Sequence, residues 1–222
     1  FKLDHLGPAY MEDWKAMIKR TNNLNNKVKI ALVGKYVQLH DAYLSASEAL
    51  LHAGYDLSTE IDLSWIDSET VTEQNMEEYF ANVDGIIVPG GFGSRGVEGK
   101  VLAAQYAREH NVPYFGISLG MQAAAIEFAR NVCGLEGANS VEMGETSHPI
   151  IDLTEGRLDN KHLGDSLRLG NYPCQFKEGS KAFNLYDEKV VFERHRHRYE
   201  FNNKYRELFE ENGMSFSGLS PD

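Results

Sequence analysis

Val112-Pro113-Tyr114-Phe115-Gly116-Ile117-Ser118-Leu119-Gly120-Met121-Gln122, followed by Ala123-Ala124-Ala125-Ile126-Glu127-Phe128-Ala129, decides how this chain folds. An apolar, β-prone run enters a glycine. One polar side chain then stands between Gly116 and Gly120, and an Ala/Ile/Phe pattern of helical period follows. The sequence predicts a strand, a sharp turn and a helix. A side chain at such a turn is lifted above the sheet edge and faces the positive end of the next helix, where backbone N–H groups are unpaired. Ser118 is therefore the residue presented for chemistry.

Working upstream, Gly85-Ile86-Ile87-Val88 is a continuously apolar strand, the pattern of a parallel sheet covered on both faces, and a helix is expected over 98–109. Residues 28–33 predict a strand ending at Gly34, residues 42–53 a helix closed by Gly54, residues 60–66 an alternating strand and residues 75–80 a short helix. Repeated β-α alternation predicts an α/β, doubly wound, mostly parallel sheet, with reactive groups collected at the carboxyl ends of its strands. Before it, residues 11–20 form an amphipathic helix and residues 21–26 a polar linker. Residues 1–26 are accordingly expected to be a linker from a larger preceding domain, and residues 27–222 the domain itself. Beyond Arg130 the pattern changes to an added antiparallel portion. Residues 148–153, 166–176 and 189–199 alternate as strands, broken by Gly156, Gly164, Gly170 and Gly179. Residues 202–212 look helical, and residues 215–217 start a strand that the last residue, Asp222, leaves unfinished.

With 222 residues, 42% apolar and 25% charged, the chain suffices for one sizeable α/β core. A net charge of -11 argues against nucleic acid and anionic membrane surfaces as partners. No apolar run reaches the roughly 20 residues of a membrane helix, and residues 1–10 lack a signal-peptide pattern, so a cytoplasmic location is expected. Cys133 and Cys174 have no CxxC spacing and are expected to be small buried hydrophobes, with no metal site.

Three motif templates compete. Gly91-Phe92-Gly93-Ser94-Arg95-Gly96 spells G-x-G-x-x-G, but it follows the third strand instead of the first, which argues against a dinucleotide site; Arg95 and Lys100 either meet a phosphate or belong to a solvated loop. Gly116-Ile117-Ser118-Leu119-Gly120 spells G-x-S-x-G, the nucleophile elbow of serine hydrolases. That reading needs a downstream histidine. His195 and His197 alternate with Arg194, Arg196 and Arg198, and positive neighbours make a histidine a poor base.

The third template uses both loops. Pro89-Gly90-Gly91-Phe92-Gly93 with residues 116–122 resembles the class I glutamine amidotransferases, whose elbow reads G-x-C-x-G. Arg130-Asn131-Val132, Ala138-Asn139-Ser140, Thr146-Ser147-His148-Pro149, Arg168-Leu169-Gly170 and Glu193-Arg194-His195-Arg196-His197-Arg198-Tyr199-Glu200 are similar to the glutaminase domain of the CTP synthase family. The resemblance implies a flavodoxin-like fold that hydrolyses L-glutamine through a thioester. Ammonia would pass to a synthase domain of the same polypeptide, where ATP-activated UTP is aminated to CTP. It further implies a homotetramer, ATP and Mg2+ in the synthase domain, GTP as activator, and no cofactor in this domain.

By the same resemblance, the N–H groups of Gly91 and Leu119 form the oxyanion hole at the nucleophile position, Ser118. Gly91, Leu119, Gly120, Met121, Gln122, Glu142 and Arg198 hold glutamine. A carboxylate suits the α-ammonium and an arginine the α-carboxylate, and a residue without Cβ at Gly91 lets the backbone approach the substrate. Gln122 by itself would be an ordinary helix residue. Two departures stand out. The family nucleophile is cysteine, and a serine hydroxyl is a much weaker nucleophile, so impaired turnover with glutamine retained is expected. The family's catalytic histidine and orienting glutamate lie in a His-Pro-Glu segment absent from these residues; His148-Pro149 is followed by Ile150. The alternatives are a glutamine-binding pseudoenzyme or a serine hydrolase.

Overall fold

The computed structural model describes Gly7, residues 9–153 and residues 167–221. Gly156, Gly164 and His162 lie outside the described residues. Four parallel strands, β1 (Asn26–Gly34), β2 (Thr59–Asp67), β3 (Gly85–Val88) and β4 (Tyr114–Gly116), form a sheet in the order β2-β1-β3-β4. Because side chains alternate across a strand, this sheet has two apolar faces. Ala31, Val33, Ile86 and Val88 pack with Phe80 of α3 (Met76–Phe80) and with Ala103, Tyr106 and Ala107 of α4 (Val97–His110). Leu32 and Ile87 face the other way, onto Tyr43 and Leu50, the latter in α2 (Leu44–Asp56). The strand order brings the ends of β3 and β4 side by side.

A second core joins α4 to α5 (Leu119–Asn131) through Val97, Val101, Ala123 and Ile126, then to Ile150 and Ile151 of β6 (Pro149–Leu153) and Phe209 of α7 (Arg206–Glu211). β5 (Asn139–Ser140) runs parallel to β6, whose other edge pairs antiparallel with β9 (Tyr199–Phe201). A third sheet, in the order β10-β7-β8, is antiparallel: β10 (Gly218–Leu219), β7 (Arg168–Phe176) and β8 (Val190–His197). α6 (Lys181–Tyr186) joins β7 to β8, with Ser180 Oγ accepting from the Phe183 N–H. α1 (Glu12–Thr21) buries no residue.

Several local expectations are corrected. Gly54 does not close α2, which runs on to Asp56. A Cβ at Gly54 would press Ile61 Cγ1 at 2.8 Å, so this glycine serves the contact between α2 and β2, and the positive φ (50°) falls on Ser58 instead. The last strand forms at Gly218–Leu219, not at 215–217, because Phe216 is drawn into an aromatic cluster 5.0 Å from Phe201. The strand expected over 189–199 breaks at Arg198 into β8 and β9, which belong to different sheets. Cys133 and Cys174 are free thiols and only half-buried; burial still pushes both pKa values up. Among the described residues no helix is long and apolar enough to cross a membrane.

Candidate active site

Ser118 caps the N-terminus of α5 at φ 53°, ψ −110°, and is exposed. A non-glycine residue in this region is strained, and the surroundings must hold it there. They do so through backbone packing. The Ile117 N–H continues the sheet by donating to the Val88 carbonyl at 2.9 Å, and the Gly120 N–H donates back to Ile117 at 2.9 Å. The Tyr114 hydroxyl donates to the Gly120 carbonyl at 2.7 Å, so both backbone groups of Gly120 are engaged. A Cβ on Gly120 would run into the Val88 carbonyl, and one on Gly116 into Gly120. The elbow glycines are there because β3, β4 and α5 meet backbone to backbone.

The segment 89–93 leaves β3 beside this elbow. A Cβ on Gly90 would stand 3.3 Å from Ser118 Cβ, so Gly90 gives the Ser118 side chain its room, a contact that sequence reasoning did not anticipate. At Gly91 a Cβ would point inward, to Leu119 Cδ2 at 3.5 Å and Lys100 Nζ at 3.7 Å, which are ordinary contacts. Among the described residues, neither the Gly91 nor the Leu119 N–H donates a backbone hydrogen bond. At Leu119 this follows from its place as the first residue of α5, where a helix has no carbonyl to offer.

Glu142 sits on a 3-10 turn whose start is capped by Ser140 Oγ, which accepts from the Glu142 N–H at 3.2 Å. Its Oε1 accepts the Gly93 N–H at 2.7 Å, which brings it onto the segment next to the elbow. A concavity of about 750 Å³, lined by Val141, Gly144, Glu145, Thr146, Ser147 and Pro149, opens on the same loop. Gln122 is buried and its Nε2 donates to the Tyr199 carbonyl at 3.4 Å, tying α5 to the residue after Arg198. Arg198 is half-buried at the β8–β9 break. Met121 is exposed in the first turn of α5.

The remaining candidates separate from this group. His195 and His197 share one face of β8 with ring centroids 5.0 Å apart, and His197 Nε2 lies 2.8 Å from Glu200 Oε1. That hydrogen bond, with Arg168 at 3.4 Å, holds Glu200 down to about 2, while burial and then His197 lower His195. Among the described residues no histidine hydrogen-bonds Ser118. Arg95 pairs with Glu69 and lies over the Tyr36 ring at 5.1 Å. Lys100 is neither a phosphate contact nor part of a solvated loop: it is fully buried. Its place was written in the sequence, since residues 97, 100, 101 and 104 share one helical stripe that is otherwise apolar.

Comparison with known proteins gives a consistent picture. Residues 38–222 match the family Glutamine amidotransferase class-I. A CTP synthase of Halalkalibacterium halodurans is 56% identical over an aligned length of 224 positions that covers 99% of this chain and 42% of that protein. A CTP synthase of Bacillus subtilis is also 56% identical, over 96% of this chain and 40% of its own length. The chain thus spans about two fifths of the curated relatives it matches. The solved glutaminase domain of Trypanosoma brucei CTPS with bound acivicin superposes with a TM-score of 0.81 at 39% identity, covering 87% of this chain and 75% of that one.

Proposed function

The chain belongs to the class-I glutamine amidotransferases, and from that premise we propose that it is the glutaminase region of a CTP synthase, built to hydrolyse L-glutamine and supply ammonia for the amination of UTP. The observation that carries this reading is the exposed, strained Ser118 at the N-terminus of α5, with the segment 89–93 beside it. Glutamine would lie across the elbow with its carboxamide oxygen at those two donors, its α-ammonium at Glu142 and its α-carboxylate at Arg198. The region of the relatives that lies outside this chain would take ATP, Mg2+ and UTP, with GTP as activator, in a homotetramer. Residues 1–26 would lead from it; α1 buries nothing, and the sheet begins at Asn26.

Serine at position 118 sets the chemistry. The ordinary thiol titrates near 8.5 and becomes a thiolate beside a histidine, whereas a hydroxyl needs a base in hydrogen-bond reach to be a comparable nucleophile. The chain is accordingly proposed to hold glutamine and turn it over poorly. In the full-length protein, Ser118→Cys is expected to raise ammonia release from glutamine by orders of magnitude while calorimetric glutamine affinity stays within a few fold. Equal rates for the serine and cysteine forms would overturn the impairment. A binding-only role would instead give binding without ammonia release even for Ser118→Cys in the full-length protein. Labelling of Ser118 by an active-site serine probe would instead support the serine-hydrolase alternative.

A further inference from the structure

Two buried lysines lie under the segment 89–93 in a chain whose net charge is -11. Lys35 follows the last residue of β1 and is 9% exposed; Lys100 is on α4 and 0% exposed. A buried ammonium is ordinarily paired with a carboxylate, because desolvation without a partner is costly. Among the described residues neither lysine lies within ion-pair distance of one. What their ammonium groups hydrogen-bond instead is the backbone of this one segment, with Lys35 Nζ also 5.5 Å from the centre of the Tyr36 ring. Lys35 Nζ donates to the Phe92 carbonyl, and Lys100 Nζ donates to the Pro89 carbonyl at 3.5 Å. Both side chains also approach Gly91: a Cβ there would stand 3.7 Å from Lys35 Cε and from Lys100 Nζ.

The Phe92 carbonyl and the Gly93 N–H are two ends of one peptide group, and that N–H donates to Glu142 Oε1 at 2.7 Å. An ammonium on the oxygen of a peptide polarises its N–H and strengthens the bond the N–H gives to a carboxylate. Lys35 and Glu142 are therefore linked through one peptide group, each hydrogen-bonded to an opposite end of it. We propose that Lys35 and Lys100 are positioning residues of the glutamine site: Lys35 fixes Glu142 through the Phe92–Gly93 peptide, and Lys100 fixes the other end of the segment at Pro89, so that the Gly91 N–H faces the elbow. This rests on the reading of Glu142 and Gly91 as glutamine-holding groups. A carboxylate accepts several donors, so engagement of Oε1 by Gly93 is compatible with a substrate ammonium on the same group. Burial, with Lys35 next in effect, lowers Lys100 to about 8, as expected of a cation held by carbonyl dipoles alone.

The test combines a thermodynamic cycle with a readout that needs no ligand. In the 222-residue chain, Lys35→Met is expected to weaken calorimetric glutamine binding about tenfold, equivalent to about 1.4 kcal/mol, with Lys35→Arg restoring most of it. In a Glu142→Gln background, Lys35→Met should weaken binding no further. A merely structural lysine would instead add its full effect in both backgrounds, and that outcome would overturn the proposal. By NMR, Lys35→Met and Glu142→Gln should each move the Gly93 amide proton upfield, and Lys100→Met should move the Gly91 amide. Unmoved amides would also overturn it. Should Lys35→Met fail to fold, Lys35→Gln and the half-buried Glu142→Gln carry the same amide measurement. If the unsubstituted chain binds no glutamine, the functional reading fails and the amide shifts still decide the clamp.

Discussion

Ser118 is held at φ 53°, and of the two neighbouring glycines of the segment 89–93 only Gly90 lies against its side chain. Gly90→Ala would place a methyl 3.3 Å from Ser118 Cβ, tighter than most real contacts, so the side chain at the elbow must give way. The expected outcome is a loss of glutamine affinity and, in the Ser118→Cys background of the full-length protein, a larger loss of turnover. Gly91→Ala meets only ordinary contacts at 3.5 Å and 3.7 Å, and is expected to fold with a melting temperature close to that of the parent. Differential scanning calorimetry with glutamine titration compares the two directly. Glu142→Ala removes the acceptor of the Gly93 N–H and is expected to weaken glutamine binding by about 10-fold or more, the scale of a lost charged hydrogen bond.

At the scale of elements, the site depends on how closely β3, β4 and α5 approach. Gly120→Ala would drive a methyl into the Val88 carbonyl and separate α5 from β3. Overpacking of this kind costs about 1–3 kcal/mol, read as a lower denaturation midpoint at unchanged slope. α4 and α5 are further joined by Arg108, whose Nη2 is 2.8 Å from the buried Glu127 carboxylate. Arg130 donates to the Ala138 carbonyl at 2.7 Å and pairs with Glu98, which fixes the end of α5 against the start of α4. The β-α alternation made these elements legible in the sequence. Their ends were less so: Gly54 looked like a helix stop because a glycine after an apolar run usually is one, yet its missing Cβ serves Ile61 across the α2–β2 contact.

For the whole molecule, two groups make stability rise with pH, in two separate windows. Glu200 is lowered from 4.5 to about 2, so its contribution is complete above about 4.5 and is lost as pH falls toward 2. Glu200→Gln should flatten the acid limb of a stability curve measured by denaturant titration. Lys100 is lowered from 10.5 to about 8, so between those values the unfolded chain holds a proton that the folded chain has released. Stability from this group therefore rises with pH across that window, and Lys100→Met should remove the rise.

The sequence by itself determined the α/β class, the strands β3 and β4 as consecutive elements, and the elbow at Ser118, because those depend on local period and on residues adjacent along the chain. Its motifs also placed the chain beside the class I amidotransferases. Only the tertiary structure decided that Gly90 makes room for Ser118, that Glu142 reaches the segment 89–93, and that Lys35 and Lys100 lie beneath it. Those contacts join residues from the end of β1, from α4 and from a distant 3-10 turn. No local pattern encodes them, since they arise only when the sheet order brings separate strand ends to one edge.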